Sequence, residues 1–279
     1  MRRRTLLAIP ALGLVPTALL SACSDGPIPR QDDESPSRSR QDGAVRITYG
    51  TDPSQFVELH RPSGASRGVV VVIHGGFWKS AYDHTLGTPL ARSLAEQGWT
   101  AWNIEYRRVG NGGGTPETFD DVAAAIDALA DVDGLDLSAV VTLGHSAGGH
   151  LAVWAAGRPD PAVRVTHAIS QAGVLDLVAS ERAGLGGGAA ASLLGHTPGP
   201  DDAQWDPQRQ APLDVPVWCV HGVDDTVVPL SQSEAYVAAA RAAGAEAELV
   251  QVEGDHFVVI DPATPAWQAQ LEILDGISG

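Results

Sequence analysis

The chain has 279 residues, 44% of them hydrophobic, which suffices for one large α/β domain and falls short of two. Its 18 basic residues face 34 acidic ones, a formal net charge of -16, and Lys79 is the only lysine. Neutralising a phosphate backbone requires clustered basic side chains, so this balance argues against nucleic acid as a partner and reads as a solvated acidic surface.

Residues 1–23 have the pattern of a targeting segment. Arg2, Arg3 and Arg4 precede an apolar stretch from Leu6 to Leu20, interrupted by Pro10 and Pro16. That stretch is too short and too broken for a membrane-crossing helix, which needs about 20 apolar residues in a row. Leu20-Ser21-Ala22-Cys23 resembles a bacterial lipobox, which implies cleavage before Cys23 and a diacylglyceryl thioether on it. Arg3-Arg4-Thr5-Leu6-Leu7 also resembles a twin-arginine export signal. The expectation is an exported lipoprotein, held at the cell membrane through Cys23, with its folded domain outside the cytoplasm. An ordinary signal peptide with a chance cysteine is the alternative. Once Cys23 carries lipid, Cys219 stands alone in an apolar strand, where it reads as a small buried hydrophobe.

Residues 24–44 carry Pro27, Pro29 and Pro36, several serines and mixed charges. This composition is too poor in apolar residues to fold and predicts a disordered tether. From residue 45 to 279 the pattern becomes that of an α/β domain. Val45–Tyr49 and Phe56–Arg61 read as an antiparallel edge pair, and Val69–Ile73, continuously β-branched, as a strand covered on both faces. Helices are expected over Leu86–Gln97, Pro116–Ala130, Ala147–Gly157, Gln232–Ala243 and Pro265–Ile277. Strands are expected over Trp99–Tyr106, Val140–Leu143, Val165–Gln171, Val215–Val220 and Glu248–Val252. Such alternation implies a mainly parallel sheet with helices on both faces and a ligand site beyond the carboxyl ends of the strands. Residues 173–214 break the rhythm without a clear strand, which predicts a small lid or an excursion lining the site.

The chemistry-bearing motifs all fall at strand ends. Gly144-His145-Ser146-Ala147-Gly148 fits a nucleophile elbow, in which a strained strand-to-helix turn lifts the Ser146 hydroxyl above the sheet. The flanking glycines let neighbouring backbone pass closely, and the Ala147 N–H points to where an oxyanion would form. His74-Gly75-Gly76-Phe77-Trp78 follows the β-branched strand and is the place for a second oxyanion donor, from Gly76 or Phe77. His74 precedes the serine in chain order and reads as a brace. Trp78 is a candidate wall of the substrate pocket, with a structural role as the equal alternative. Two carboxylates, Asp224 and Asp225, compete for the acid in His221-Gly222-Val223-Asp224-Asp225-Thr226-Val227-Val228-Pro229, and the similarity of this segment to the hydrolase pattern H-G-x-x-D-x-x-V-P, whose fifth position is the acid, favours Asp225. His256, in Gly254-Asp255-His256-Phe257, is the histidine that completes the order Ser…Asp…His.

From Val69 to His256 the sequence resembles the esterase and arylformamidase branch of the α/β-hydrolases. His74–Trp78 is close to the H-G-G-[YF]-W of kynurenine-formamidase-like enzymes, and Gly144–Leu151 to their G-H-S-A-G-G/A-H-L. The resemblance implies the α/β-hydrolase fold and a serine hydrolase needing neither metal nor organic cofactor. Its substrate would be a small-molecule ester or, as the alternative, an N-formyl aromatic amide. A peptidase of the prolyl-oligopeptidase kind is a third reading, against which the chain is too short for an accessory propeller. A catalytically silent hydrolase fold used for binding is the reading of another class, and an intact apparent triad speaks against it.

Overall fold

A computed structural model describes residues 39–41 and 43–277. The targeting segment, Cys23 and most of the expected tether lie outside the described residues. The described chain contains strands β1 (Ser39–Gln41), β2 (Ala44–Thr48), β3 (Phe56–His60) and β4 (Val69–Ile73). Helix α1 (Thr88–Glu96), β5 (Thr100–Ile104), α2 (Glu117–Asp127), β6 (Val140–His145), α3 (Ala147–Ala156) and β7 (His167–Gln171) follow. Helices α4 (Leu177–Arg182), α5 (Ala189–Leu194) and α6 (Pro207–Gln210) precede β8 (Val217–Gly222), α7 (Ser231–Ala242), β9 (Ala247–Val252) and α8 (Pro265–Gly276).

The strands form one nine-stranded sheet in the order β1-β2-β3-β5-β4-β6-β7-β8-β9. The first three strands pair antiparallel, and every pairing from β5 to β9 is parallel. The β-branched run explains why β4 lies at the centre. Val69, Val71 and Ile73 face a core shared with Phe119, Val122 and Ile126 of α2 and Leu151 of α3. Val70 and Val72 face the opposite core, with Leu90 and Leu94 of α1 and Trp267 and Leu271 of α8. A strand buried on both faces has no polar side, which is what five consecutive apolar residues encode. Cys219 is buried beneath α7 beside Tyr236 and Val237, the environment expected for it.

Most element ends shift by one to three residues from expectation, and two of the differences have a clear local cause. The domain starts earlier than residue 45, because Ser39–Gln41, assigned to the tether, pairs with Ala44–Arg46 as an edge hairpin. Those three residues carry no apolar signal; backbone hydrogen bonds to an available strand edge order them. Expected helix Leu86–Gln97 starts instead at Thr88, because Asp83 caps a separate turn at His84–Leu86 by accepting from the Thr85 N–H.

Residues 173–214 fold as three short α-helices and two short 3₁₀ helices packed on the core, with Leu177, Ala189, Ala190, Leu193 and Leu194 buried. The register sets β4 and β6 level at their carboxyl ends, Ile73 opposite Gly144, so the loops that follow them emerge side by side.

Candidate active site

Ser146 stands between β6 and α3 with φ 55° and ψ −116°, a backbone conformation that residues other than glycine rarely adopt. It is held there from both sides. Its N–H donates to the Gln171 carbonyl at 2.8 Å, and its carbonyl accepts from the N–H groups of Gly149 at 2.9 Å and His150 at 3.2 Å. The motif glycines are sterically required. A Cβ on Gly144 would strike the Gly148 carbonyl, and one on Gly148 the carbonyl oxygens of Ile73 and His74. Ala147 is the first residue of α3, so its N–H belongs to the open first turn of a helix.

The loop after β4 is braced by buried polar groups. The Nδ1–H of His74 donates to the Gly75 carbonyl at 2.8 Å, and Arg108 donates to Nε2 at 3.1 Å. Tyr106 stacks on the same ring at 4.4 Å, and its hydroxyl donates to the His74 carbonyl at 2.7 Å. Burial, aided by the Arg108 charge, pushes His74 down to about 3, so its ring is neutral and can accept from Arg108.

A Cβ on Gly75 would lie 2.7 Å from the His145 carbonyl and 3.2 Å from the Ser146 Cβ, which is how closely this loop passes the serine. Phe77 and Trp78 both have φ 54°, and these turns send the two rings in different directions. Phe77 reaches the cavity beside Ser146. Trp78 does not. It is 1% exposed and packs edge-on to His150 at 5.1 Å, so the pocket-wall role goes to its neighbour and Trp78 belongs to the core.

Asp225 lies in the turn after β8. One carboxylate oxygen accepts from the N–H groups of Val227 and Val228, each at 2.8 Å. The other is 2.6 Å from His256 Nδ1 and 3.2 Å from His221 Nε2. Burial opposes the charge, but the hydrogen bonds from His221, His256 and the Val228 amide outweigh it and hold the carboxyl well below the usual carboxylate range. An ionised Asp225 fixes the His256 proton on Nδ1 and leaves Nε2 as the basic nitrogen. Asp224 is exposed. The carbonyl of His256 in turn accepts from His145 Nε2–H at 2.9 Å. Burial, and then the neighbouring His256, push His145 down to about 3, so it is a neutral donor.

Ser146, His256, Gly76 and Phe77 line one cavity of about 120 Å³. Its remaining walls come from Tyr82, Leu86, His145, Val227, Phe257 and Ile260. Residues 173–214 contribute no lining side chain, so the excursion is not a lid over this cavity. It reaches the site through Phe77, whose ring abuts Gly186, and through Lys79, whose ammonium donates to the Gly186 carbonyl at 2.7 Å. A wider groove of about 530 Å³ around Arg158, Arg164 and Asp214 contains none of the motif residues. Sequence reasoning missed His221 as a second partner of Asp225, although its position four residues earlier in the same turn is a usable signal. It also missed the apolar walls, for which no local pattern exists.

A hydroxyl, an imidazole held by a carboxylate and the open first turn of a helix thus meet at one cavity. Comparison with known proteins agrees with the architecture. Over 117 residues the chain is 35% identical to esterase LipC of Mycobacterium tuberculosis, a match covering 39% of this chain and 28% of LipC. This chain therefore matches under a third of that relative's length. Esterase 2 of Thermogutta terrifontis, phosphoramylated by tabun, superposes with a TM-score of 0.71 at 25% identity, over 85% of this chain and 94% of that one. The bifunctional GH43-CE protein of Bacteroides eggerthii superposes at 0.73 with 24% identity, over 85% of this chain and 36% of that one. The fold is that of the α/β-hydrolases, and with residues 57–239 matching its family profile the chain belongs to the BD-FAE family.

Proposed function

We propose that this protein hydrolyses carboxylic esters with short acyl groups by two-step acyl transfer on Ser146. The observation that carries the reading is the 2.6 Å contact between Asp225 and His256, with His256 and Ser146 lining one cavity. His256 Nε2 takes the Ser146 proton as the hydroxyl oxygen attacks the ester carbonyl. Asp225 stabilises the imidazolium that results. The oxyanion is received by the N–H of Ala147 and by that of Gly76 or Phe77, each such donor being worth about 3 kcal/mol in the transition state. His256 then protonates the departing alcohol. Water, activated by the same nitrogen, cleaves the acyl-enzyme and returns the proton to Ser146.

The esterase names of LipC and of the Thermogutta protein support ester over other acyl substrates. The cavity's volume of about 120 Å³ favours small acyl groups. A second reading, deformylation of N-formyl aromatic amides, rests on the similarity of His74–Trp78 to kynurenine-formamidase-like enzymes. Nitrophenyl esters of increasing acyl length and N-formylkynurenine, assayed side by side, separate the two. Acetyl and propionyl esters are expected to be turned over fastest; preferential deformylation would overturn the ester reading. Ser146→Ala should lower kcat by about 10⁴-fold or more without unfolding the protein. Retained turnover in that variant would sink the assignment. The proposed location is the outer face of the membrane, supported by Arg2–Arg4 and the lipobox ending at Cys23. Cys23→Ser should release the protein into the soluble fraction.

A further inference from the structure

Among the described residues five large hydrophobic side chains are exposed, and three of them, Tyr82, Leu86 and Phe257, line the cavity of Ser146 and His256. Exposed apolar side chains without a role scatter singly over a surface, whereas these gather at one opening. None of the described residues lining that cavity carries a carboxylate, ammonium or guanidinium, in a chain of net charge -16. Apart from Ser146 and the two imidazoles, its walls offer one polar side-chain group, the Tyr82 hydroxyl.

Phe257 is the most exposed of the three, at 57%. Its backbone is fixed. The N–H donates to Asp255 Oδ1 at 2.9 Å, and the carbonyl accepts from the Ile260 N–H at 3.1 Å. Val258, Val259 and Ile260, which follow it, pack with the core beneath α8, and the Phe257 ring does not. That ring stands edge-on to His256, 5.3 Å between centroids, and 6.1 Å from the ring of His145. An apolar ring is thus presented to solvent, on a held turn, directly beside the general base.

That position has a defined place in the reaction. The nitrogen that takes the Ser146 proton later gives it to the leaving oxygen as the acyl C–O bond breaks. Whatever is attached to that oxygen therefore lies next to the His256 ring. We propose that Phe257 is a specificity-determining residue, an apolar shelf for the leaving group that selects esters of apolar alcohols, aromatic ones foremost. The proposal rests on the ester reading of Ser146 and adds the alcohol side to it. A flat aromatic alcohol covers the exposed ring and removes apolar surface of both partners from water. A polyol in the same place gives up water from several hydroxyls, for which the walls hold the single Tyr82 hydroxyl as partner.

The test compares kcat/KM for benzyl acetate and 2-hydroxyethyl acetate in the wild-type protein, Phe257→Ala and Phe257→Gln. Both are acetyl esters of primary alcohols, so they differ in the leaving group alone. The wild type is expected to favour the benzyl ester about tenfold or more, since covering about 55 Å² of apolar surface is worth about tenfold. Phe257→Ala should lower that preference about tenfold. Phe257→Gln, which brings hydrogen-bonding groups to the shelf, should lower it at least as far. A wild type without preference, or one favouring the hydroxyethyl ester, overturns the shelf. An unchanged preference in Phe257→Ala does so too, even where both esters lose rate together, because that is the effect of a ring that only steadies His256. Should Phe257→Ala fail to fold, Phe257→Gln decides by the same ratio. If no form turns over either ester, the ester reading fails, and binding judges the shelf alone. Benzyl alcohol and ethylene glycol are then titrated into the wild-type protein while the Phe257 amide and ring resonances are followed. Saturating shifts with benzyl alcohol alone support the shelf, and absent or equal shifts overturn it.

Discussion

Asp225 carries the most at the scale of single residues, because one carboxylate oxygen serves His256 and His221 while the other caps its own turn. Asp225→Asn keeps the shape but offers an N–H₂ or a weaker carbonyl to His256 Nδ1, so the imidazole loses its orientation and its correct tautomer. A fall in kcat of about 10⁴-fold is expected, with KM little changed. Asp224→Asn, at an exposed neighbour, should leave kcat near wild type. Steady-state kinetics on the two variants checks both, and equal losses would reject Asp225 as the orienting acid. Ser146, Asp225 and His256 were legible in the sequence because each sits in a short turn directly after a strand, where spacing alone fixes position. Trp78 and the cavity walls were not. Trp78 and Phe77 share a left-handed backbone, and which ring enters the cavity depends on His150 and Gly186, each more than 60 positions away along the chain. No window of sequence contains that information.

Among the elements, the tight contact between β4, β6 and α3 is what raises Ser146 to the cavity. Gly148 marks it, since any Cβ there meets the carbonyl oxygens of Ile73 and His74, backbone atoms that cannot yield without parting strand from helix. Gly148→Ala should cost about 1–3 kcal/mol of stability in urea unfolding. Gly199→Ala, where the nearest atom lies 4.0 Å from the added carbon, should stay within about 0.5 kcal/mol. The excursion makes a different prediction, because it supports the site without lining it. A methyl group on Gly186 meets the Phe77 ring, and φ 59° there strains any L-residue. Gly186→Ala should displace Phe77 and lower kcat/KM by about ten- to a hundredfold. Unchanged kinetics would mean that Phe77 does not depend on the excursion for its place. The long helices and the β-branched strands were legible from period and composition. The edge strand at Ser39–Gln41 and the short helices of 173–214 were not, since the first is ordered by a neighbour's backbone and the second by burial against a distant core.

The molecule as a whole carries buried groups whose ionisation opposes folding in acid. Burial pushes His74 and His145 down to about 3 and His150 to about 4. In the unfolded chain each takes up its proton near about 6.5, so as the pH falls below that value the unfolded state binds protons that the native state refuses. Stability therefore declines from about pH 6.5 downward, toward the folded values. Asp206 acts in the opposite sense. Burial, and then the Asp176 carboxylate, raise it to about 6, so between that value and its unfolded 3.8 the native state is the one that gains a proton.

Three imidazoles outweigh one carboxyl, and the net expectation is a urea midpoint that falls between about pH 6.5 and pH 5. The acidic surface contributes little in this window, because most of its carboxylates stay ionised there. Asp206→Asn removes the opposing contribution, so its loss of stability from pH 7 to pH 5 should exceed that of the wild type. If the two losses are equal, Asp206 remains ionised in the native protein despite its burial, and the carboxyl is held by Arg209 and the Gln208 N–H.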